Sequence, residues 1–311
     1  MARSRAVLVT GASGLIGGAL VRSLRARGAP VHTLSRHVPP GASGESGGVR
    51  QFEWDVAKGT IDPAAFEGVD AVVHLAGESI AEGRWTPQRK EAIRESRVKG
   101  TALIAEAMAA APVRPRVLVS GSAVGWYGNR EEAIVTEESS AGTGFLAEVC
   151  AAWEAATLPA ERAEIRTVHL RTGMVVSAAG GALAKMLGPF RLGLGGPIGS
   201  GRQWISWIHI DDHVAIMHRL LDDDDISGPI NAVSPTAVRQ REFATILGLA
   251  LGRPALLPMP ALAVKLLFGE MGERLLLEGA KVLPARLKGR GFEWSHPTLA
   301  SALGAELRRK G

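Results

Sequence analysis

The chain has 311 residues, 46% hydrophobic and 22% charged, a balance that excludes a disordered protein and provides for a sizeable core. Its single cysteine excludes an intrachain disulfide framework and a cysteine-built zinc site, and fits a reducing, cytoplasmic setting. The net charge of +5 comes without a run of five basic residues, and no apolar run reaches the ~18 residues that span a bilayer, so neither nucleic acid nor membrane is an expected partner.

In the first half, short apolar runs at Ala6–Thr10, Val31–Ser35, Ala71–Leu75, Arg116–Ser120 and Thr167–Arg171 predict buried parallel strands. Between them, helical spacing covers Leu15–Arg27, Pro87–Ala111 and Gly144–Ala163. This alternation predicts an α/β fold, a Rossmann-type doubly wound parallel sheet covered by helices on both faces. The second half differs. Gly180–Gly201 is rich in glycine but too apolar for a linker, and reads as an ordered loop over a site. Helical patterns follow at Arg239–Leu251, Pro260–Gly269 and Pro297–Arg309, and predict a smaller, mostly helical C-terminal substrate portion. The acidic run Asp222–Asp225 reads as a solvated loop.

Thr10-Gly11-Ala12-Ser13-Gly14-Leu15-Ile16-Gly17 closes the first strand and opens the first helix. Glycine without a Cβ lets backbone approach a pyrophosphate, and the helix N-terminus offers free N–H groups to it, so Gly11, Ser13, Gly14, Leu15, Ile16 and Gly17 are the expected dinucleotide cradle. An NAD site places an acid near the end of the second strand. Here no Asp or Glu precedes Glu45, and the strand ends in Leu34-Ser35-Arg36-His37. Arg36 suits a 2′-phosphate, so the expected cofactor is NADP(H). Asp55 either receives the adenine amino group or caps the turn before Gly59. Leu75, Ala76 and Gly77 end a strand with small residues that let backbone lie against the cofactor. The expected division is an NADP-binding domain at residues 1–175, with a returning segment at 205–233. Residues 176–204 and 234–311 form the substrate side.

These motifs, with Ser120-Gly121-Ser122-Ala123-Val124-Gly125-Trp126-Tyr127-Gly128, Leu170-Arg171-Thr172-Gly173 and Trp207-Ile208-His209-Ile210-Asp211-Asp212, make the chain resemble the extended short-chain dehydrogenase/reductases. Leu75-Ala76-Gly77-Glu78-Ser79-Ile80, Trp153-Glu154 and the string Pro189–Gly201 resemble more specifically the atypical "epimerase family" oxidoreductases. The stretch Leu257–Leu307 is similar to that family's C-terminal domain of unknown function. The resemblance implies NADP(H) binding, with Ser35 and Arg36 on the 2′-phosphate. It also implies Leu75 and Ala76 along the cofactor, Arg97 reaching it from the long helix, and backbone near Val175 meeting the nicotinamide amide. Read from the residues alone, Arg97 is a surface helix residue and Val175 a core residue.

The chain departs from the superfamily in its chemistry. The usual Tyr-x-x-x-Lys pair needs a tyrosine whose pKa, about 10, is lowered by a lysine. Tyr127 is the only tyrosine, and four residues on stands Glu131. Where the resemblance places the pair, the chain reads Gly144-Phe145-Leu146-Ala147-Glu148-Val149-Cys150. Ser122 and Tyr127 are the candidate catalytic residues, with a pocket wall as the plain alternative for Tyr127. Cys150 is a nucleophile or a packing residue. His209 and Asp211 form a reactive pair or a loop brace, and Glu78 and Glu148 are further candidate acids. Trp85, Trp126, Trp204 and Trp207 fall in cleft segments and suit a hydrophobic or planar small molecule, or else pack in the core. No metal is expected. Two readings follow. One is an NADP(H)-dependent oxidoreductase or epimerase-like protein working without the dyad; the other is a catalytically silent NADP(H)-sensing or partner-binding protein. Either is a monomer or homodimer.

Overall fold

The computed structural model describes residues 6–36, 38 and 48–308; His37, Glu45 and Arg309 lie outside the described residues. Eight strands form the main sheet: β1 (Ala6–Thr10), β2 (Val31–Ser35), β3 (Val49–Asp55), β4 (Thr60–Ile61), β5 (Val69–His74), β6 (Val117–Ala123), β7 (Arg166–Thr172) and β8 (Gly228–Ala232). Their spatial order is β8-β7-β6-β5-β1-β2-β3-β4. All neighbours pair in parallel except the short edge strand β4, which runs antiparallel to β3. The chain moves outward from β1 to β3, then crosses back to β5 on the other side of β1. That reversal opens a crevice at the carboxyl ends of β1 and β5.

The side-chain period of two sorts the sheet's residues between its faces. Val7 and Val9 of β1 join Leu20 and Leu24 of α1 (Leu15–Ala26) and Ile216, Met217 and Leu220 of α6 (Ile210–Asp222). Leu8 points the other way and packs with Ile104 and Met108 of α2 (Pro87–Ala110). The predicted helix over Gly144–Ala163 is two helices, α3 (Phe145–Ala155) and α4 (Leu158–Arg162). Pro159 has no N–H for an interior helical bond and sits in the first turn of α4, where it needs none.

A third core forms beyond the sheet. Leu183, Leu187 and Phe190 of α5 (Gly181–Arg191) meet Phe243 and Leu247 of α7 (Gln240–Leu251), and Leu299 and Leu303 of α10 (Leu299–Arg308). The expected loop over Gly180–Gly201 is therefore half helix. Leu183, Leu187 and Phe190 follow helical spacing, and burying that stripe outweighs the weak helix propensity of the flanking glycines. Only the remainder is irregular. It runs beside residues 257–259, with Leu257 N–H donating to Gly195 O and Met259 N–H to Pro197 O; a Cβ on Gly196 would stand 2.0 Å from Leu257 O. Two further helices, α8 (Ala261–Gly272) and α9 (Ala285–Gly289), complete the C-terminal portion, and α8 is kinked at Gly269. Among the described residues no helix is long and apolar enough to cross a membrane.

Candidate functional site

Thr10 fastens the crevice at the switch point. Its Oγ1 accepts the N–H groups of Leu75 at 3.0 Å and Ala76 at 3.1 Å, and lies 2.8 Å from His74 Nδ1. With both lone pairs used, the hydroxyl proton goes to Nδ1, which leaves the proton of the imidazole on Nε2. Burial holds the His74 imidazole down to about 4, so it is neutral at physiological pH.

The glycine loop is built as a cradle. Gly11 has φ +65°, and a Cβ there would lie 2.9 Å from the backbone of Leu75; a Cβ on Gly17 would come 2.2 Å from Gly11 O. Neither position tolerates a side chain without moving backbone. No side chain caps the N-terminus of α1, and its first turn holds no acid, so the N–H groups beyond Gly14 could serve an anion with a favourable dipole. Ser13 is exposed, and Leu15 and Ile16 are partly buried at the helix start. Leu15 also meets the opposite wall, 3.5 Å from where a Gly180 Cβ would stand. Arg36 is exposed just past β2, and Ser35 ends that strand. The glycine cradle fits the pyrophosphate of a dinucleotide.

Arg97 lies against the end of β5. Its Cζ is 3.3 Å from where a Gly77 Cβ would be, its guanidinium stacks 5.0 Å from the Trp153 ring, and Nη1 donates to Ile93 O at 3.0 Å. Burial pushes the guanidinium below its usual value. A half-buried cation beside the strand end suits an anionic ligand better than a plain surface role. Asp55 Oδ1 accepts the N–H groups of Ala57 and Lys58 at 2.9 and 3.1 Å, and Oδ2 lies 3.3 Å from Lys58 Nζ. The carboxylate thus caps the turn before Gly59. Val175 pairs with Ile208 in a short parallel ladder of residues 174–176 and 207–209.

Ser122 and Tyr127 belong to one buried polar chain. Ser122 Oγ donates to Glu154 Oε1 at 2.7 Å, and Glu154 accepts both Arg171 Nε and Nη2 at 2.8 Å. Arg171 Nη1 donates to the Tyr127 hydroxyl at 3.1 Å, which in turn donates to Asn231 Oδ1 at 2.7 Å. Burial would depress the Arg171 guanidinium, but Glu154 more than offsets it and leaves it above its ordinary value. Tyr127 is fully buried, and burial raises its phenol above the usual value despite Arg171. That direction is opposite to the shift a proton-donating tyrosine needs. Glu154 and Arg171 were not singled out for a role by sequence, because their pairing spans a helix and a strand.

The position of the missing dyad is apolar. Phe145, Leu146 and Val149 cluster with Ile80, Trp85 and Ile93 beneath Phe268, Met271 and Leu275. Trp85 and Phe145 meet edge to face at 5.0 Å. The covering helix α8 is tied down by the Lys90–Glu270 ion pair at 2.7 Å and by Arg84 donating to Leu266 O and Leu267 O. Cys150 is buried, and burial, with Glu154 beside it, pushes its thiol up to about 12, so it is no nucleophile. Glu78 pairs with Arg89 at 3.2 Å. Of the four tryptophans expected in cleft segments, Trp207 is fully buried core, while Trp126 and Trp204 stack under Arg171 and Arg239 at 3.9 and 3.8 Å. Only Trp85 joins the apolar cluster.

A family profile described as "NAD dependent epimerase/dehydratase family" matches residues 7–232, and a "Domain of unknown function (DUF1731)" matches residues 259–306. The chain is 41% identical over 305 residues to Epimerase family protein Mb2239 of Mycobacterium bovis, covering 98% of each. It is 39% identical over 301 residues to human Epimerase family protein SDR39U1, covering 96% of this chain and 98% of that one. The crystal structure of human SDR39U1 (isoform2) with NADPH superposes with a TM-score of 0.87 at 37% identity, over 97% of this chain and 99% of that chain. More distant in sequence, MoeE5 in complex with UDP-glucuronic acid and NAD shares the fold, with a TM-score of 0.76 at 20% identity over 98% of this chain and 99% of that chain. The doubly wound sheet, the glycine cradle and these matches together place the chain in the NAD dependent epimerase/dehydratase family, with a DUF1731 domain toward its C-terminal end.

Proposed function

We propose that the chain is an NADP(H)-dependent oxidoreductase or epimerase-like protein that acts on an apolar or planar small molecule without a tyrosine–lysine dyad. The observation that carries the reading is the pairing of the uncapped glycine cradle with an apolar cluster of Trp85, Phe145 and Leu146 where the resemblance puts the dyad, bordering a cleft that Phe145 and Val149 share with Lys90, Arg94 and Glu148. Human SDR39U1, at 37% identity, was crystallised with NADPH. Arg36 at the end of β2, with no acid before Glu45, favours the 2′-phosphorylated cofactor.

Bound there, NADP(H) supplies or accepts a hydride. The chain's own residues bind and orient. Gly11, Gly14 and Gly17 admit the pyrophosphate to the N-terminus of α1, with Ser13, Leu15 and Ile16 around it. With the cofactor bound, Ser35 and Arg36 would hold the 2′-phosphate, the turn that Asp55 caps would border the adenine, and Leu75, Ala76, Gly77, Arg97 and Val175 would line the nicotinamide side. Ser122 spends its hydroxyl proton on the hydrogen bond to Glu154 Oε1, which leaves its oxygen only as an acceptor toward a ligand. Ser122 and Tyr127 act here as positioning residues of the network rather than as a proton-transfer pair. The second reading, a cofactor-sensing protein without chemistry, draws on the full burial of the only tyrosine.

The test is NADPH oxidation followed by absorbance against a panel of apolar carbonyl compounds and quinones. The enzyme reading expects turnover that falls about tenfold or more in Phe145→Asp while NADPH affinity is kept. NADPH binding with no turnover across the panel would overturn it in favour of sensing.

A further inference from the structure

We propose that His209, Asp211 and His296 form a divalent-metal site, of the nitrogen- and oxygen-donor type that takes zinc, clamping the start of α6 to the segment before α10. The site is remote in role from the cofactor cradle and does not depend on the function proposed above.

The three side chains are brought together by the fold. His209 ends the strand 207–209 and sits at the N-cap of α6; Asp211 is in the first turn of that helix. Asp212, beside it, accepts the N–H groups of Ser295 at 2.7 Å and His296 at 3.0 Å, so the same turn holds the backbone that carries His296. The two imidazoles lie with ring centroids 3.9 Å apart and planes tilted by 49°. Asp211 Oδ2 is 3.7 Å from His209 Nδ1 and 4.0 Å from His296 Nε2. One donor atom from each of the three falls within 4.8 Å of the others. Around zinc, bonds of about 2.0–2.1 Å put tetrahedral donors about 3.4 Å apart, so closing on an ion draws the Asp211 carboxylate about 0.3–0.6 Å nearer to each imidazole and the two imidazole donors together by up to about 1.4 Å.

The surroundings favour a cation. Three carboxylates, Asp211, Asp212 and Glu306, stand around two imidazoles. His209 Nε2 lies 3.1 Å from Oε1 of the buried Glu306 but off hydrogen-bond geometry, so a turn of the ring is needed before Glu306 can serve as the outer carboxylate that metal-bound histidines commonly have. The Asp211 N–H bond to His209 Nδ1 is long, 3.2 Å, and an ion would displace it. Access is open: the Asp211 and His296 side chains are 45% and 19% exposed, which leaves a fourth position for water. Glu306 also accepts Ala178 N–H at 2.5 Å and Ser177 Oγ at 3.2 Å, so an ion on His209 would brace the seat of α10 as well.

The experiment is a titration of tag-free, chelator-treated full chain with Co²⁺, read by visible d–d absorption, followed by Zn²⁺ competition. The expected result is one ion per chain, with affinity weakened by about a hundredfold or more in Asp211→Asn and His296→Gln. Both variants should match the wild-type melting temperature in EDTA, and zinc should raise it in wild type alone. No binding to the wild type in the micromolar range would overturn the proposal. So would binding that survives both substitutions, since the ion would then sit elsewhere.

Discussion

Glu154→Ala tests the buried network most sharply. Glu154 and Arg171 are 6% and 3% exposed, and the carboxylate accepts two guanidinium bonds and the Ser122 hydroxyl. Truncation leaves the cation with the Tyr127 hydroxyl and the Trp126 and Tyr127 rings but no anion, and breaking one side of such a buried pair costs about 3–5 kcal/mol. The orphaned Ser122 hydroxyl adds about 1 kcal/mol. For 311 residues the unfolding entropy is about 0.65 kcal/mol/K, so a loss of about 5 kcal/mol lowers the melting temperature by about 8 °C. Circular dichroism melts of Glu154→Ala, Arg171→Met and the double variant measure it. The double variant should be less destabilised than the sum of the singles, because it leaves no buried charge unpaired. A shift below about 1 °C in Glu154→Ala, or strict additivity, would refute the reasoning.

Gly17→Ala drives a Cβ to 2.2 Å from Gly11 O and should weaken NADPH binding by about tenfold or more, measured by nucleotide fluorescence. His74 and His213 are each held down to about 4 by burial. Unfolded, each returns to about 6.5, so between those values the unfolded chain binds more protons and stability is lost as pH falls from 6.5 towards 4. The loss is about 3 kcal/mol per histidine, read as a falling urea midpoint, and His213→Asn should flatten it. Cys150, with its thiol pushed up to about 12, should resist a thiol reagent at pH 8 until the protein is unfolded; rapid labelling of the native chain would contradict its burial.

The first strands, α1 and the cradle were legible because they rest on local rules: period-two burial, a strand–glycine–helix junction and an anion-ready helix end. Helix α5 was misread because glycines at its borders hid the spacing of Leu183, Leu187 and Phe190, which carries the opposite signal. Strand β3 escaped because its alternation, Phe52 and Trp54 buried between polar neighbours, differs from the continuous apolar runs of the central strands. The Ser122–Glu154–Arg171–Tyr127–Asn231 chain was not legible. Its partners lie 17 to 104 residues apart, and nothing local marks Glu154 as buried. The apolar cluster under α8 was likewise invisible, since the sequence could say that the dyad was missing but not what filled its place.

Calorimetric titration of the wild-type chain with NADPH and with NADH tests the proposed 2′-phosphate site at Arg36. Micromolar NADPH binding with NADH much weaker is expected, with a loss of that preference in Arg36→Ala. Equal affinity for the two nucleotides, or binding of neither, would contradict it.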